Sequence, residues 1–225
     1  MFVPLRTECA LTWNQMARQM MSPLCTFYAY CLMSNHMHLL IQERDEPLSD
    51  VIKRIGVSYA HYFNKKYERN GHLFQDRFRS EPVDSIEYFV VLLRYIHQNP
   101  LKAGIVERTE YYHWSSWKEY ENKNCHDSLC STHAVFSRIP REDLRELVCV
   151  PVEGYGQILD IDAEGIKAVS DGDVKAFLHD YTVHLRDLRN QREIKTNYGV
   201  ALADCTDDAD FVSRCLFLCH ITIIK

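Results

Sequence analysis

The chain has 225 residues, of which 46% are hydrophobic, 12% aromatic and 25% charged, and its formal net charge is −5. That is enough chain for a sizeable core, and the balance excludes a disulfide-stapled miniprotein, a disordered polymer and a collagen-like repeat. The longest apolar stretch, Thr26 to Gln42, is broken by Ser34, Asn35, His36 and His38, so no membrane-spanning segment is expected, and nine irregularly spaced cysteines without a secretory leader point to reduced thiols in a cytoplasmic protein.

Leu11–Met21 predicts a short helix that Pro23 stops. Phe27–Ile41 predicts one long or bent strand, in which alternation puts His36, His38 and Leu40 on one face and Asn35, Met37 and Leu39 on the other. From Leu48 to Tyr67 apolar residues recur at helical spacing, and Asn70-Gly71 is the expected stop. Leu73–Val83 reads as extended. Asp84-Ser85-Ile86-Glu87 then has capping-box spacing for a helix expected to run to about His97 and to end at Asn99-Pro100. Trp114–Tyr120 is an aromatic patch, and Asp143–Val150 predicts a short helix. A further helical pattern runs from Asp171 to Lys195. The expected organisation is a first domain over 1–120, a linker over 121–142 and a mainly helical extension over 143–225 with an atypical tail.

Charge is unevenly spread. Residues 51–80 hold Lys53, Arg54, Lys65, Lys66, Arg69, Arg77 and Arg79 against Glu68 and Asp76, a local charge of +5 in an acidic chain. A solvated helix face accounts for such a block, and so does a surface that follows phosphates.

Two imidazoles at i and i+2 on a strand point the same way and can share one divalent cation, although two histidines in an apolar strand also serve as core residues. Tyr95 and Asn99 stand four apart and share a helix face if the last turn stays helical. A tyrosine hydroxyl can attack phosphorus when charge on the phosphate is offset, and an amide oxygen can complete a metal site. Taken alone, Tyr95 fits a core position and Asn99 a helix cap. Cys125-His126, Cys130 and His133 lack zinc-finger spacing, and Gly154-Tyr155-Gly156 lacks the third glycine of a dinucleotide loop.

Taken together and in this order, several motifs resemble the HUH single-tyrosine transposases, in particular their REP-associated branch. They are Tyr30-Cys31-Leu32-Met33-Ser34-Asn35-His36-Met37-His38-Leu39-Leu40-Ile41, Phe63-Asn64, Gly71-His72-Leu73-Phe74-Gln75-Asp76-Arg77-Phe78, Arg94-Tyr95-Ile96-His97-Gln98-Asn99-Pro100-Leu101-Lys102-Ala103-Gly104 and Trp114-Ser115-Ser116. The resemblance covers roughly residues 24–120. It implies an α+β fold with a ferredoxin-like antiparallel sheet packed with helices, and a metal-dependent endonuclease and strand transferase acting on single-stranded DNA, from hairpin or repeat-flanking sequence. It implies His36, His38 and Asn99 as ligands of Mg²⁺ or Mn²⁺ and Tyr95 as the nucleophile that forms a 5′-phosphotyrosine. The cations Lys53, Arg54, Lys65, Lys66, Arg77, Arg79 and Arg94 become candidate DNA contacts, and a homodimer is compatible with the family.

The chain departs from the family at both ends. The family's opening strand is absent before the first helix, which leaves a sheet position open unless another segment or a partner chain pairs there. The tail after Tyr198-Gly199-Val200 turns acidic and then apolar, with no basic recognition helix. These departures motivate a rival reading, a catalytically impaired or domesticated DNA-binding relic. A third reading is a phosphoesterase that uses water in place of Tyr95.

Overall fold

The computed structural model describes residues 7–21, 23–74, 77–83, 86–122, 128–137 and 139–149, with strand segments at 161–162, 165–166 and 216–222. The Asp171–Lys195 helical pattern, Cys125-His126, Gly154-Tyr155-Gly156 and the Asp84-Ser85 cap lie outside the described residues.

The first helix, α1 (Thr7–Met16), passes into a π-helical turn at Ala17–Met21. What the alternation predicts as one strand is a hairpin, β1 (Cys25–Leu32) and β2 (His36–Glu43). Met33-Ser34-Asn35 makes the turn, closed by Met33 N–H on the His36 carbonyl at 2.8 Å. The small polar pair inside an apolar run is what reverses the chain. Tyr28 is the extra residue of a bulge, since Phe27 pairs with Ile41 but Ala29 with Leu40. In β2 the expected alternation holds: Leu40 lies in the core under one face of the sheet, and Met37, Leu39 and Ile41 lie in the core under the other.

The second helix, α2 (Leu48–Lys66), starts with its Leu48 N–H on Glu43 Oε1 at 2.6 Å. It ends before the expected Asn70-Gly71 stop. Glu68 adopts φ 51°, and Arg69 N–H returns to the Asn64 carbonyl at 2.9 Å, the capping pattern of a left-handed residue. After the four-residue strand β3 (Arg79–Pro82) comes α3 (Ile86–Lys102). This helix continues through Pro100 instead of ending before it. Proline removes one intrahelical bond, at a cost of about 3 kcal/mol in a helix interior. Three bonds close the end just beyond it: Ala103 N–H to Asn99 O, Gly104 N–H to Leu101 O and Ile105 N–H to Pro100 O, with Gly104 at φ 66°. At about 1 kcal/mol each, these Schellman-type contacts are of the size needed to offset the proline.

Beyond a 3₁₀ turn at Thr109–Tyr111 lie α4 (Trp117–Glu121), α5 (Thr132–Phe136) and α6 (Arg141–Cys149). A small hairpin follows, β4 (Ile161–Asp162) with β5 (Gly165–Ile166), and then β6 (Leu216–Thr222).

The main sheet is antiparallel with order β1-β2-β6-β3. Helices cover both faces, which makes the fold α+β. On one side Trp13, Met21, Val51, Ile55 and Tyr59 of α1, the π turn and α2 pack against the sheet. On the other, Phe89, Leu92 and Ile96 of α3 join Leu144 and Leu147 of α6. Among the described residues the order α1-β1-β2-α2-β3, with both helices on one face, follows a ferredoxin-like arrangement from its first helix onward. The internal position between β2 and β3 is taken by β6, so Leu216–Thr222, from the segment 143–225, is the third strand of the sheet.

Both outer edges are protected. The β1 edge is stitched by Leu32 N–H to Trp114 O at 2.8 Å, Ser116 N–H to Tyr30 O at 3.0 Å and Ser131 N–H to Phe27 O at 2.8 Å. The β3 edge is short and ends in Pro82, which has no N–H to offer a further strand. Among the described residues, no helix is long and apolar enough to cross a membrane.

Candidate active site

β2 and α3 supply the site. On β2, His36 opens the strand and His38 follows on the same face, with ring centroids 4.8 Å apart at 81°. His38 is 1% exposed and His36 is half-buried at the rim. Because α3 stays helical to Lys102, Tyr95 and Asn99 share one side of it. That side faces the histidines. The Tyr95 ring lies edge-on to His38, with centroids 5.3 Å apart at 79°, and Asn99 Nδ2 is 3.0 Å from His38 Nε2. Two strand residues and two helix residues, 61 positions apart at the His38–Asn99 contact, thus converge.

The hydrogen bonds define the ring tautomers. His36 Nδ1 donates to Asn35 Oδ1 at 2.9 Å, which places its lone pair on Nε2. His38 Nε2 accepts from the Asn99 amide, which places its proton on Nδ1. In this pairing both imidazoles carry their lone pair on Nε2, where a cation could be shared, and the Asn35 acceptor gives His36 the usual support of a ligating histidine. The Asn99 amide presents nitrogen to His38, and rotation exchanges it for the oxygen in nearly the same shape. Two imidazoles and an amide suit a borderline divalent cation, so the residues fit the metal the sequence implies. Among the described residues, no three His, Cys, Asp or Glu side chains form a metal cluster.

α3 is anchored from behind by a residue that the sequence reading did not single out. His97 lies between Tyr95 and Asn99 in the chain but on the opposite side of the helix, 1% exposed. Its Nδ1 donates to the Leu93 carbonyl at 2.7 Å, and its Nε2 accepts from Ser116 Oγ at 2.8 Å. Ser116 Oγ also accepts Tyr30 N–H at 3.0 Å, so this relay ties the tyrosine helix to the strand that pairs with β2. Burial holds the His97 pKa down to about 4, against the opposing pull of the Leu93 carbonyl. It is a neutral imidazole at physiological pH. Lys102 is a second such residue: its Nζ sits 5.4 Å from the centre of the Tyr95 ring. Its spacing, two helical turns after Tyr95 and three residues after Asn99, was the available signal.

The expected DNA contacts divide into two groups. Lys53, Arg54, Lys65, Lys66, Arg77 and Arg79 are all exposed. Arg54 is held by Glu46 at 2.5 Å, and Lys66 donates to the Tyr62 hydroxyl at 3.0 Å. Arg79 stands on the rung of the sheet that contains His38, two strands away, which is about 10 Å. Arg94 is not part of this exposed set. It is 8% exposed, and its Nε donates to Gln98 Oε1 at 3.1 Å, while Gln98 in turn holds the Val148 carbonyl at 2.9 Å. The aromatic stripe Tyr59-Tyr62-Phe63 packs with Phe74 and Trp13 in the α1–α2 core.

A buried carboxylate supports the strand edge beneath the site. Glu119 accepts from the Tyr30 hydroxyl at 3.0 Å, Ser128 Oγ at 2.6 Å and Cys130 N–H at 2.8 Å. The described cysteines Cys9, Cys25, Cys31, Cys130 and Cys149 are reduced, and burial pushes the thiols of Cys25 and Cys149 up to about 12. They behave as small core residues with little nucleophilic character.

Residues 6–99, somewhat under half of the chain, match the family model described as "Transposase IS200 like". Searches of curated proteins and of solved structures gave no match. The matched segment carries β1, β2, α2 and the part of α3 that ends at Asn99, and over it the chain is similar to the IS200-like transposases.

Proposed function

We propose that this protein cuts and rejoins single-stranded DNA through a covalent Tyr95 intermediate. The observation that carries the reading is the convergence of Tyr95, His38 and Asn99, within 5.3 Å between rings and 3.0 Å between polar atoms, beside His36. Tyr95 oxygen attacks the scissile phosphorus, the bond from phosphorus to the 3′ oxygen breaks, and that oxygen leaves as a 3′-hydroxyl after taking up a proton. The 5′ phosphate is left on the tyrosine. One phosphoester replaces another, so a second strand's 3′-hydroxyl can reverse the step without a nucleotide cofactor.

His36, His38 and the Asn99 oxygen would hold a divalent cation, Mg²⁺ or Mn²⁺. When bound, the cation supplies Lewis-acid offset of charge on the non-bridging oxygens. The protein's own contribution is position and charge. His97 and Ser116 hold α3 at a set depth on the sheet, and the Lys102 ammonium beside Tyr95 offsets negative charge that develops there. Lys53, Lys65, Lys66, Arg77 and Arg79 give the strand a cationic path, with Arg79 about two strand spacings from His38. Motif resemblance supports the REP-associated branch and repeat-flanking DNA as the target. The catalytic unit is the segment 1–120 with its sheet completed by β6.

The test is incubation of the full chain and Tyr95→Phe with labelled single-stranded DNA from the gene's own flanks and Mn²⁺, read as a denaturant-resistant protein–DNA adduct. An adduct formed by wild type and not by the Tyr95→Phe variant is the expected result. Cleavage by both proteins with no adduct would transfer the reading to the water mechanism. Binding without cleavage by either would transfer it to the DNA-binding relic.

A further inference from the structure

α3 is tethered to the rest of the protein at two places around its circumference. Successive helical residues turn by about 100°, so His97 lies about 160° round the helix from Tyr95, while Gln98 and Arg94 flank the tyrosine on one side at about 60° and 100°. The His97–Ser116 relay holds the back of the helix to β1. A second relay holds the flank: Arg94 Nε donates to Gln98 Oε1 at 3.1 Å, and Gln98 Nε2 donates to the Val148 carbonyl at 2.9 Å. Gln98 is 5% exposed and Val148 is fully buried. Val148 stands in the last turn of α6, where carbonyls have no donor within the helix, so the glutamine amide supplies one. α6 is itself fixed, with Leu144 and Leu147 in the same core as Leu92 and Ile96, and with Arg145 3.8 Å from Glu121 of α4.

We propose that Gln98 is a positioning residue for Tyr95: its bond to α6 sets the rotation of α3, and with it the direction in which the tyrosine faces His38. The inference rests on the reading of Tyr95 as nucleophile given above. One tether sets the depth of a helix but resists rolling weakly, whereas two tethers about 100° apart resist it. Side chains reach about 5–6 Å from a helix axis, so a roll of about 10° carries a tip through about 1 Å. A misplacement of that size costs on the order of a hundredfold in rate. The working unit then extends past residue 120 to α6, a link that spacing does not reveal because 50 positions separate Gln98 from Val148.

The test follows adduct formation by the full chain in single turnover, at saturating single-stranded DNA from the gene's own flanks with Mn²⁺. Wild type is compared with Gln98→Met, which keeps the shape of the side chain and loses both hydrogen bonds. The rate constant is expected to fall about tenfold or more with DNA affinity unchanged, whereas loss of folded protein alone lowers the amplitude and leaves the rate constant. The nuclear magnetic resonance signal of the His38 ring, which the Tyr95 ring 5.3 Å away shifts, is expected to move towards its position in Tyr95→Leu. A wild-type rate constant or an unmoved His38 signal in the variant overturns the inference and leaves the reading of Tyr95 intact. If wild type forms no adduct, that reading falls and the inference with it. Should Gln98→Met not fold, Gln98→Glu decides, since a carboxylate accepts from Arg94 but has no N–H for Val148. The same losses are expected, and a folded variant with the wild-type rate constant overturns the inference.

Discussion

Lowering the pH should loosen the tyrosine helix through His97, and the size of the effect follows from its burial. The unfolded chain takes up a proton on this imidazole near pH 6.5, and the folded chain only near pH 4. Between those values the unfolded state binds more protons, so stability is full above pH 6.5 and falls as pH falls towards 4. At about 1.4 kcal/mol per pH unit, the loss attributable to His97 is about 3 kcal/mol. That is a large part of the roughly 5–15 kcal/mol a domain possesses. His97→Gln removes the titration yet keeps an amide able to donate to Leu93 O and accept from Ser116 Oγ. Urea unfolding of both proteins from pH 7 to pH 4 isolates the residue, because the other ten histidines and the carboxylates are common to both. The stability advantage of wild type should shrink by about 3 kcal/mol across that range. A gap that stays constant would refute the assignment of a neutral, buried His97 behind the site.

Gly104→Ala should destabilise by about 1 kcal/mol in the same assay, since φ 66° disfavours a side chain although nothing crowds the position; an unchanged midpoint would remove the Schellman end from α3. Glu119→Gln should cost about 1–3 kcal/mol, because an amide nitrogen then meets donors from Tyr30, Ser128 or Cys130, and a neutral result would mean that those bonds contribute little. Each of Lys65→Ala and Arg79→Ala should flatten the salt dependence of single-stranded DNA affinity by about 0.7 in log–log slope, and an unchanged slope would remove that cation from the DNA path.

The two candidate pairs were legible because the relations within each are local, while the roles assigned to them came from the motif resemblance. His36 and His38 are two apart on a strand and Tyr95 and Asn99 four apart on a helix, so periodicity alone sets each pair on one face. Bringing the pairs together required a tertiary contact that spacing does not contain. Pro100 was misleading for a definite reason: the rule against helix before proline weighs one local preference, whereas the end of α3 is decided by three capping bonds around Gly104. Ser34-Asn35 was passed over as a turn because the apolar residues on both sides suit a continuous strand. His97 carried no visible signal, since its partner Ser116 is 19 residues away and its burial follows from packing.

β6 also fixes the order in which the protein can mature. β2 and β3 are synthesised early, yet the strand that lies between them belongs to the far end of the chain. Until it arrives, two unpaired backbone edges are open to the wrong partner, and closing so long a loop makes a slow, high-contact-order step. A nascent or truncated chain therefore holds the histidine hairpin and the Tyr95 helix without a finished sheet. The cleavage proposed above should lag behind synthesis of the matched segment, and a chaperone that shields strand edges should raise the yield of folded protein.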